Sequence, residues 1–291
     1  MFGRIVTAMV TPFKEDLSLD LQRARELVDK LIEDGTDTVL VGGTTGESPT
    51  LSHEEKLELY EAVIKHANNR VKVMCGAGSY NTKETAEFAK EISTLKPDAL
   101  LIVSPYYNKP PQEGLYQHFR FIAESTDLPI MMYNIPGRCS VNMLPDTVSR
   151  LSEIDSIVAL KEAAGSVEQC SEMVRATRGD FLVYSGDDGL TIPFLSVGAV
   201  GVVSVLSNIY GKRFKETIMK FVEGKTEEAV KMNLSLQALI KGLFFTTSPI
   251  PVKYMLKFMG FDCGGVRLPL VAPDKATEEK IKKVLKDYAL I

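Results

Sequence analysis

The sequence predicts a (β/α)8 TIM barrel, an α/β fold, with a C-terminal helical appendage. Two observations carry that prediction. Eight short apolar runs alternate with eight helix-period segments, and no Gly-x-Gly-x-x-Gly turn follows any run. Alternating β and α elements feed either a closed barrel or a doubly wound open sheet. The count of eight, with no dinucleotide-binding turn, favours the barrel.

Taken in order, the strand candidates are residues 4–10, 37–43, 71–76, 98–105, 129–134, 156–162, 181–186 and 199–205. They carry Val, Ile, Leu and Met at both parities, as strands covered on both faces must. The helical segments between and after them are 20–34, 52–68, 82–95, 112–126, 143–152, 166–176, 188–197 and 211–223. Past residue 224 the pattern changes to three helical segments, near 226–244, 249–259 and 277–289, with no further strand. Residues 1–224 are therefore expected to form a catalytic barrel, and residues 225–291 a helical region with no catalytic site of its own. A chain of 291 residues would allow two domains, but barrels of ~250 residues fold as one.

Composition narrows the function classes. The chain is 45% hydrophobic and 25% charged with a net charge of −4, ordinary values for a globular protein. There is no basic patch for nucleic acid. The opening "MFGRIVTAMVTPFKED" does not read as a signal peptide. No apolar stretch reaches the ~18 residues of a membrane helix. A cytoplasmic location is the expectation. Cys75, Cys139, Cys170 and Cys263 are scattered without a C-x-x-C pair, which supports reduced thiols and neither a zinc nor a redox site. The three histidines, His53, His66 and His118, fall in amphipathic helices and read as helix-surface residues. Chemistry without histidine is expected.

Active sites of such barrels lie at the C-terminal ends of the strands. Those ends carry "GGTTGES" (42–48), "SPYYNKP" (104–110), "YNIPGR" (133–138), "LKEAAG" (160–165), "SGDDG" (185–189) and "GVVSV" (201–205). Lys161 stands in an otherwise apolar strand. Strand alternation puts Ile157, Ala159 and Lys161 on one face, and Met131 and Tyr133 on one face of the preceding strand. If both faces point inward, Lys161 and Tyr133 are neighbours. Glu162 has the other parity and should point toward the helix layer or the rim.

A buried lysine is either a charge partner or an amine nucleophile. Moving its pKa from ~10.4 to ~7.5 takes about 4 kcal/mol, within reach of burial, and a neutral amine attacks a ketone to form a Schiff base. "GGTTGES" lacks the Gly-Lys-[Ser/Thr] of a phosphate-binding loop. It reads either as a small anion site, with Thr44 and Thr45 as donors, or as a plain strand end. Tyr133 beside Lys161 could carry protons, and Tyr107 is otherwise a rim aromatic. Arg138 follows in a Pro-Gly turn and is either a fork for a carboxylate or a surface residue.

Together with the opening "VTAMVTPF" and the late "SPIPVKYML", these motifs resemble the dihydrodipicolinate synthase family over essentially the whole chain. That family belongs to the pyruvate-dependent class I aldolase superfamily. The resemblance implies condensation of pyruvate with L-aspartate 4-semialdehyde in the diaminopimelate/lysine pathway, with no cofactor beyond a covalent pyruvate Schiff base on Lys161. It implies Tyr133 as general acid and base, and Thr44 linking it to Tyr107, which would reach across from a neighbouring subunit. Thr45 would hold the pyruvate carboxylate, and Arg138 the carboxylate of the semialdehyde. Gly186 and Val203 would line the pocket. A homotetramer built as a dimer of dimers is implied, with no nucleic-acid or membrane partner.

Sibling sugar-acid aldolases, such as N-acetylneuraminate lyase, use the same lysine, and Thr44-Thr45 and "YNIPGR" separate this chain from them. A barrel that only binds a metabolite, with Lys161 a charge partner, is the reading from another class. One departure is Cys139-Ser140, where Thr-Gly is common. Others fall at a lysine-feedback site implied by Ser48, His53, Glu84 and Tyr106, where Lys56 replaces a frequent His and Tyr80 a frequent Asn. An added positive charge beside a cationic ligand weakens its binding, so lysine feedback is expected to be weak or absent. Strong inhibition by low lysine in a steady-state assay contradicts this.

Overall fold

The computed structural model describes residues 1–291. In chain order the elements are β1 (Ile5–Ala8), α1 (Leu21–Glu33), β2 (Thr38–Val41), α2 (His53–Ala67), β3 (Lys72–Gly76), α3 (Thr82–Thr94), β4 (Ala99–Val103) and α4 (Gln112–Ala123). They continue with β5 (Ile130–Asn134), α5 (Pro136–Cys139), α6 (Pro145–Ser152), β6 (Ile157–Glu162), α7 (Val167–Ala176), β7 (Leu182–Ser185), α8 (Thr191–Ser196) and β8 (Gly201–Ser204). The chain ends in α9 (Ser207–Val222), α10 (Thr226–Gly242), α11 (Ile250–Phe258) and α12 (Lys275–Asp287). The eight strands form a closed barrel in sequence order. This is the predicted (β/α)8 architecture, with each strand shorter than its apolar run because the run's flanks become turns.

The strands carry side chains buried on both faces. Every residue of β1, β2, β5 and β8 is buried. The helices start where short polar side chains satisfy the first free N–H groups. Asp20, Asn81, Ser166 and Asp274 cap α1, α3, α7 and α12, and Ser52 with Glu55 closes a capping box on α2.

The chain divides into two compact units, one of Met1–Lys72 with Ser204–Ile291, the other of Val73–Val203. In the first, β1 pairs parallel with β2, Val6 opposite Thr38 and Ala8 opposite Leu40. The Asp37 carboxylate accepts from the N–H groups of Arg4 and Ile5 and pairs with Lys215 at 2.7 Å. In the second, β3 to β8 pair in parallel through successive registers.

Four features depart from the expectations or add to them. First, the β5–β6 register slips by one residue: Ile130 faces Ile157, but Met131 faces Ala159. Val158 is the extra residue in the pairing. Second, the Pro-Gly turn that carries Arg138 is the one-turn helix α5, with Pro136 at its start. Third, His118 is not on a helix surface. It is 3% exposed, its Nδ1 lies 2.8 Å from Thr82 Oγ1, and its ring meets Phe119 edge-on. It shares the buried face of α4 with Leu115, Phe119 and Ile122, and burial pulls its pKa down from 6.5 to about 4. The helix after β8 also begins earlier than expected, bent at the non-helical Tyr210.

Candidate active site

Lys161 is 6% exposed in β6, between Tyr133 of β5 and Tyr184 of β7 in register. Its Nζ lies 4.0 Å from the centroid of the Tyr133 ring. Burial pushes its pKa down from 10.5 to about 7; the Asp188 carboxylate works against burial, and the Arg138 guanidinium adds to the lowering. An amine in this state is largely unprotonated just above neutrality, the condition a carbonyl-attacking nucleophile needs. Tyr133 is 4% exposed.

Gly186 follows β7, and its N–H donates to Glu162 O at 2.7 Å. A Cβ there would meet the Ala163 Cβ at 2.7 Å and the Lys161 Cε at 3.1 Å. Only glycine leaves the Lys161 stem undisturbed. Asp188, two residues on, is buried and electrostatically coupled to the lysine. Sequence reasoning missed it: "SGDDG" offered two adjacent acids with no signal to choose between them, and only the turn after β7 shows which one is buried.

Glu162 lies on the other side of β6, as parity required. It is fully buried and accepts from Asn134 Nδ2 at 2.9 Å, Ala164 N at 2.7 Å and Gln169 Nε2 at 3.2 Å. Burial raises its pKa against those donors. Asn134 and Gln169 both donate in turn to Asn142 Oδ1, at 2.7 and 3.1 Å. This polar cluster joins the ends of β5 and β6 one residue beyond Tyr133 and Lys161, on the side facing α7.

Arg138, in α5, is exposed. Tyr107 lies in the loop after β4, is 91% exposed and has a left-handed backbone, φ 70°. Val203 is buried in β8.

Thr44 and Thr45 belong to the first unit, in the turn that ends β2. That turn needs Gly42 at φ +68°, where a Cβ would fall 2.0 Å from the Tyr60 Oη. The N–H groups of Gly46, Glu47 and Ser48 are used inside the turn, bonded to the carbonyls of Gly43 and Thr44. Those three N–H groups are therefore committed, and Thr44 and Thr45 are the turn's candidate donors. Thr45 is buried and Thr44 half-buried. Of the residues of the implied lysine site, Tyr80 is exposed and meets Tyr106 edge-on at 5.3 Å, and Lys56 is half-buried with its pKa lowered by burial. No helix is long and apolar enough to cross a membrane.

Comparison with known proteins gives the chain's family. The profile of the Dihydrodipicolinate synthetase family matches residues 1–288. The 4-hydroxy-tetrahydrodipicolinate synthase of Desulforudis audaxviator is 49% identical over 290 residues, covering 100% of this chain and 99% of that one. The enzyme of the same name from Heliobacterium modesticaldum is 49% identical over 289 residues, covering 99% and 96%. Among solved structures, dihydrodipicolinate synthase from Cyanidioschyzon merolae with lysine bound superposes with a TM-score of 0.98 at 43% identity, covering 100% and 99% of the two chains. A monomeric dihydrodipicolinate synthase variant superposes with a TM-score of 0.97 at 40% identity, covering 100% and 98%.

Proposed function

Because the chain belongs to the dihydrodipicolinate synthetase family, we propose that it is a lyase that condenses pyruvate with L-aspartate 4-semialdehyde. The product is 4-hydroxy-tetrahydrodipicolinate, in the diaminopimelate route to lysine. The observation that carries the reading is Lys161, buried with its pKa near 7 and its Nζ over the Tyr133 ring.

The neutral amine of Lys161 attacks the pyruvate ketone. The carbinolamine loses water, and the imine that results is the electron sink for the next step. A methyl proton leaves to give an enamine, whose carbon attacks the aldehyde. The amine of the semialdehyde then adds to the imine carbon, closing the ring and releasing Lys161. Protons enter and leave through Tyr133, with Thr44 and Tyr107 as the relay toward solvent. Thr45 holds the pyruvate carboxylate, Arg138 receives that of the semialdehyde, and Gly186 and Val203 line the pocket. The covalent imine takes the place of a cofactor.

The assembly in this reading is a cytoplasmic homotetramer, a dimer of dimers in which Tyr107 serves the neighbouring subunit. The 91% exposure of Tyr107 in one chain supports it. Lysine feedback is weak, since Lys56 puts a cation among the residues that would receive the ligand's charge.

Substrate choice is the test. Turnover with aspartate semialdehyde and none with sugar acids is expected. Arg138→Ala is expected to cut use of the semialdehyde by roughly 100-fold, the effect of losing one charged anchor, while imine formation with pyruvate persists. Preference for a sugar acid overturns the substrate assignment.

A further inference from the structure

The turn that carries Thr44 and Thr45 is anchored by a buried ion pair from the far end of the chain. Glu47 closes that turn with a left-handed backbone, φ 54°. Its Oε1 lies 2.9 Å from Lys253 Nζ of α11, and both side chains are 0% exposed. Lys253 Nζ also donates to Thr11 O at 2.9 Å and Gly265 O at 2.5 Å. All three ammonium hydrogens therefore have acceptors. The other carboxylate oxygen of Glu47 accepts from Arg267 N at 3.0 Å. The Arg267 guanidinium is fixed in turn by both oxygens of Glu55, at 2.6 and 2.7 Å. The turn's backbone is held as well: Thr11 Oγ1 donates to Gly46 O at 2.6 Å, and Thr50 Oγ1 to Glu47 O at 3.0 Å.

Stability is a poor account of this arrangement. Two charges lose their water on burial, and well-packed apolar residues of similar size commonly serve a fold as well or better. Holding a non-glycine residue in the left-handed region adds strain. What the pair does supply is direction. Glu47 has one place to go, and the residues two and three positions before it inherit that constraint.

We infer that Glu47 and Lys253 are positioning residues for pyruvate, through which the C-terminal helical region fixes the turn that receives the substrate carboxylate. The inference rests on the reading of Thr44 and Thr45 as part of the pyruvate site.

The test compares Glu47→Gln, Lys253→Met and the double variant with the wild type, by melting temperature and by steady-state kinetics in each substrate. Each single variant leaves a buried group without its partner and melts lower. The double variant leaves no lone charge and recovers most of the melting temperature. Its KM for pyruvate stays raised by about tenfold, a displacement effect at the anchoring turn, while its KM for the semialdehyde changes less than about twofold. A double variant with wild-type KM for pyruvate overturns the inference, as does a loss in both substrates that tracks the melting temperature. Should the double variant not fold, Glu47→Asp, which keeps both charges and shortens one side chain, is held to the same split. Borohydride trapping of pyruvate on the wild type separates the two levels: no adduct there defeats the parent reading, and an adduct with an unmoved KM defeats only this one.

Discussion

Burial sets the protonation of Lys161. The same desolvation that favours its neutral amine opposes folding. The unfolded chain holds this proton up to about pH 10.5 and the folded chain only to about 7, so stability rises with pH between those values. At ~1.4 kcal/mol per pH unit, the burden is at most roughly 5 kcal/mol, a large share of a typical stability. The charges near the lysine act in opposite directions, which gives a signed prediction. The rate of imine formation with pyruvate should rise with pH through a midpoint near 7. Asp188→Asn should move that midpoint to lower pH and Arg138→Ala to higher pH, measured by borohydride trapping across a pH series. Shifts of the same sign in both variants contradict the electrostatic account. Lys161 itself was legible in the sequence, because a charged residue in an apolar strand has few bland explanations. Asp188 was not, since burial of one acid in an adjacent pair is decided by the turn. His118 could have been read from its spacing with Leu115, Phe119 and Ile122 on one helical face.

The elements that present the site are β5 and β6, locked together behind Tyr133 and Lys161 by the buried Glu162 and its amide partners. Every partner of Glu162 donates. Glu162→Gln therefore turns an NH2 group toward a donor inside the protein. A loss of ~1–3 kcal/mol is expected, read as a lower denaturation midpoint with an unchanged slope. A variant as stable as the wild type argues that these bonds do not hold the strand pair. Parity alone placed Glu162 away from Lys161. The slip at Val158 was invisible to it, because a bulge is a property of two paired strands and each strand alone shows unbroken alternation. The helix α5 was hidden for a related reason: Pro136 and Gly137 signal a turn, and the four-residue helix they start is too short for a periodic pattern.

At the scale of the whole molecule, eight β-then-α units were enough to give the closed barrel, because parallel strands buried on both faces leave a strong apolar record. Pairings between distant segments leave none. Glu47 and Lys253 are 206 residues apart, and neither looks unusual in its own helix or turn. Assembly is equally silent in one chain's sequence, and it carries its own prediction. If Tyr107 serves a neighbouring subunit, Tyr107→Phe and Lys161→Met are each nearly inactive alone. Refolded together in equal amounts, they form mixed dimers with one complete site, and about a quarter of wild-type activity returns. No recovery on mixing means that Tyr107 acts within its own chain or outside the relay.

The central claim is that Lys161 is a nucleophile for pyruvate. Borohydride reduction of the protein in the presence of pyruvate, followed by peptide mass mapping, tests it most directly. A single reduced pyruvyl adduct on Lys161, absent without pyruvate, is the predicted result. No adduct, or an adduct on another lysine with Lys161 unmodified, contradicts it.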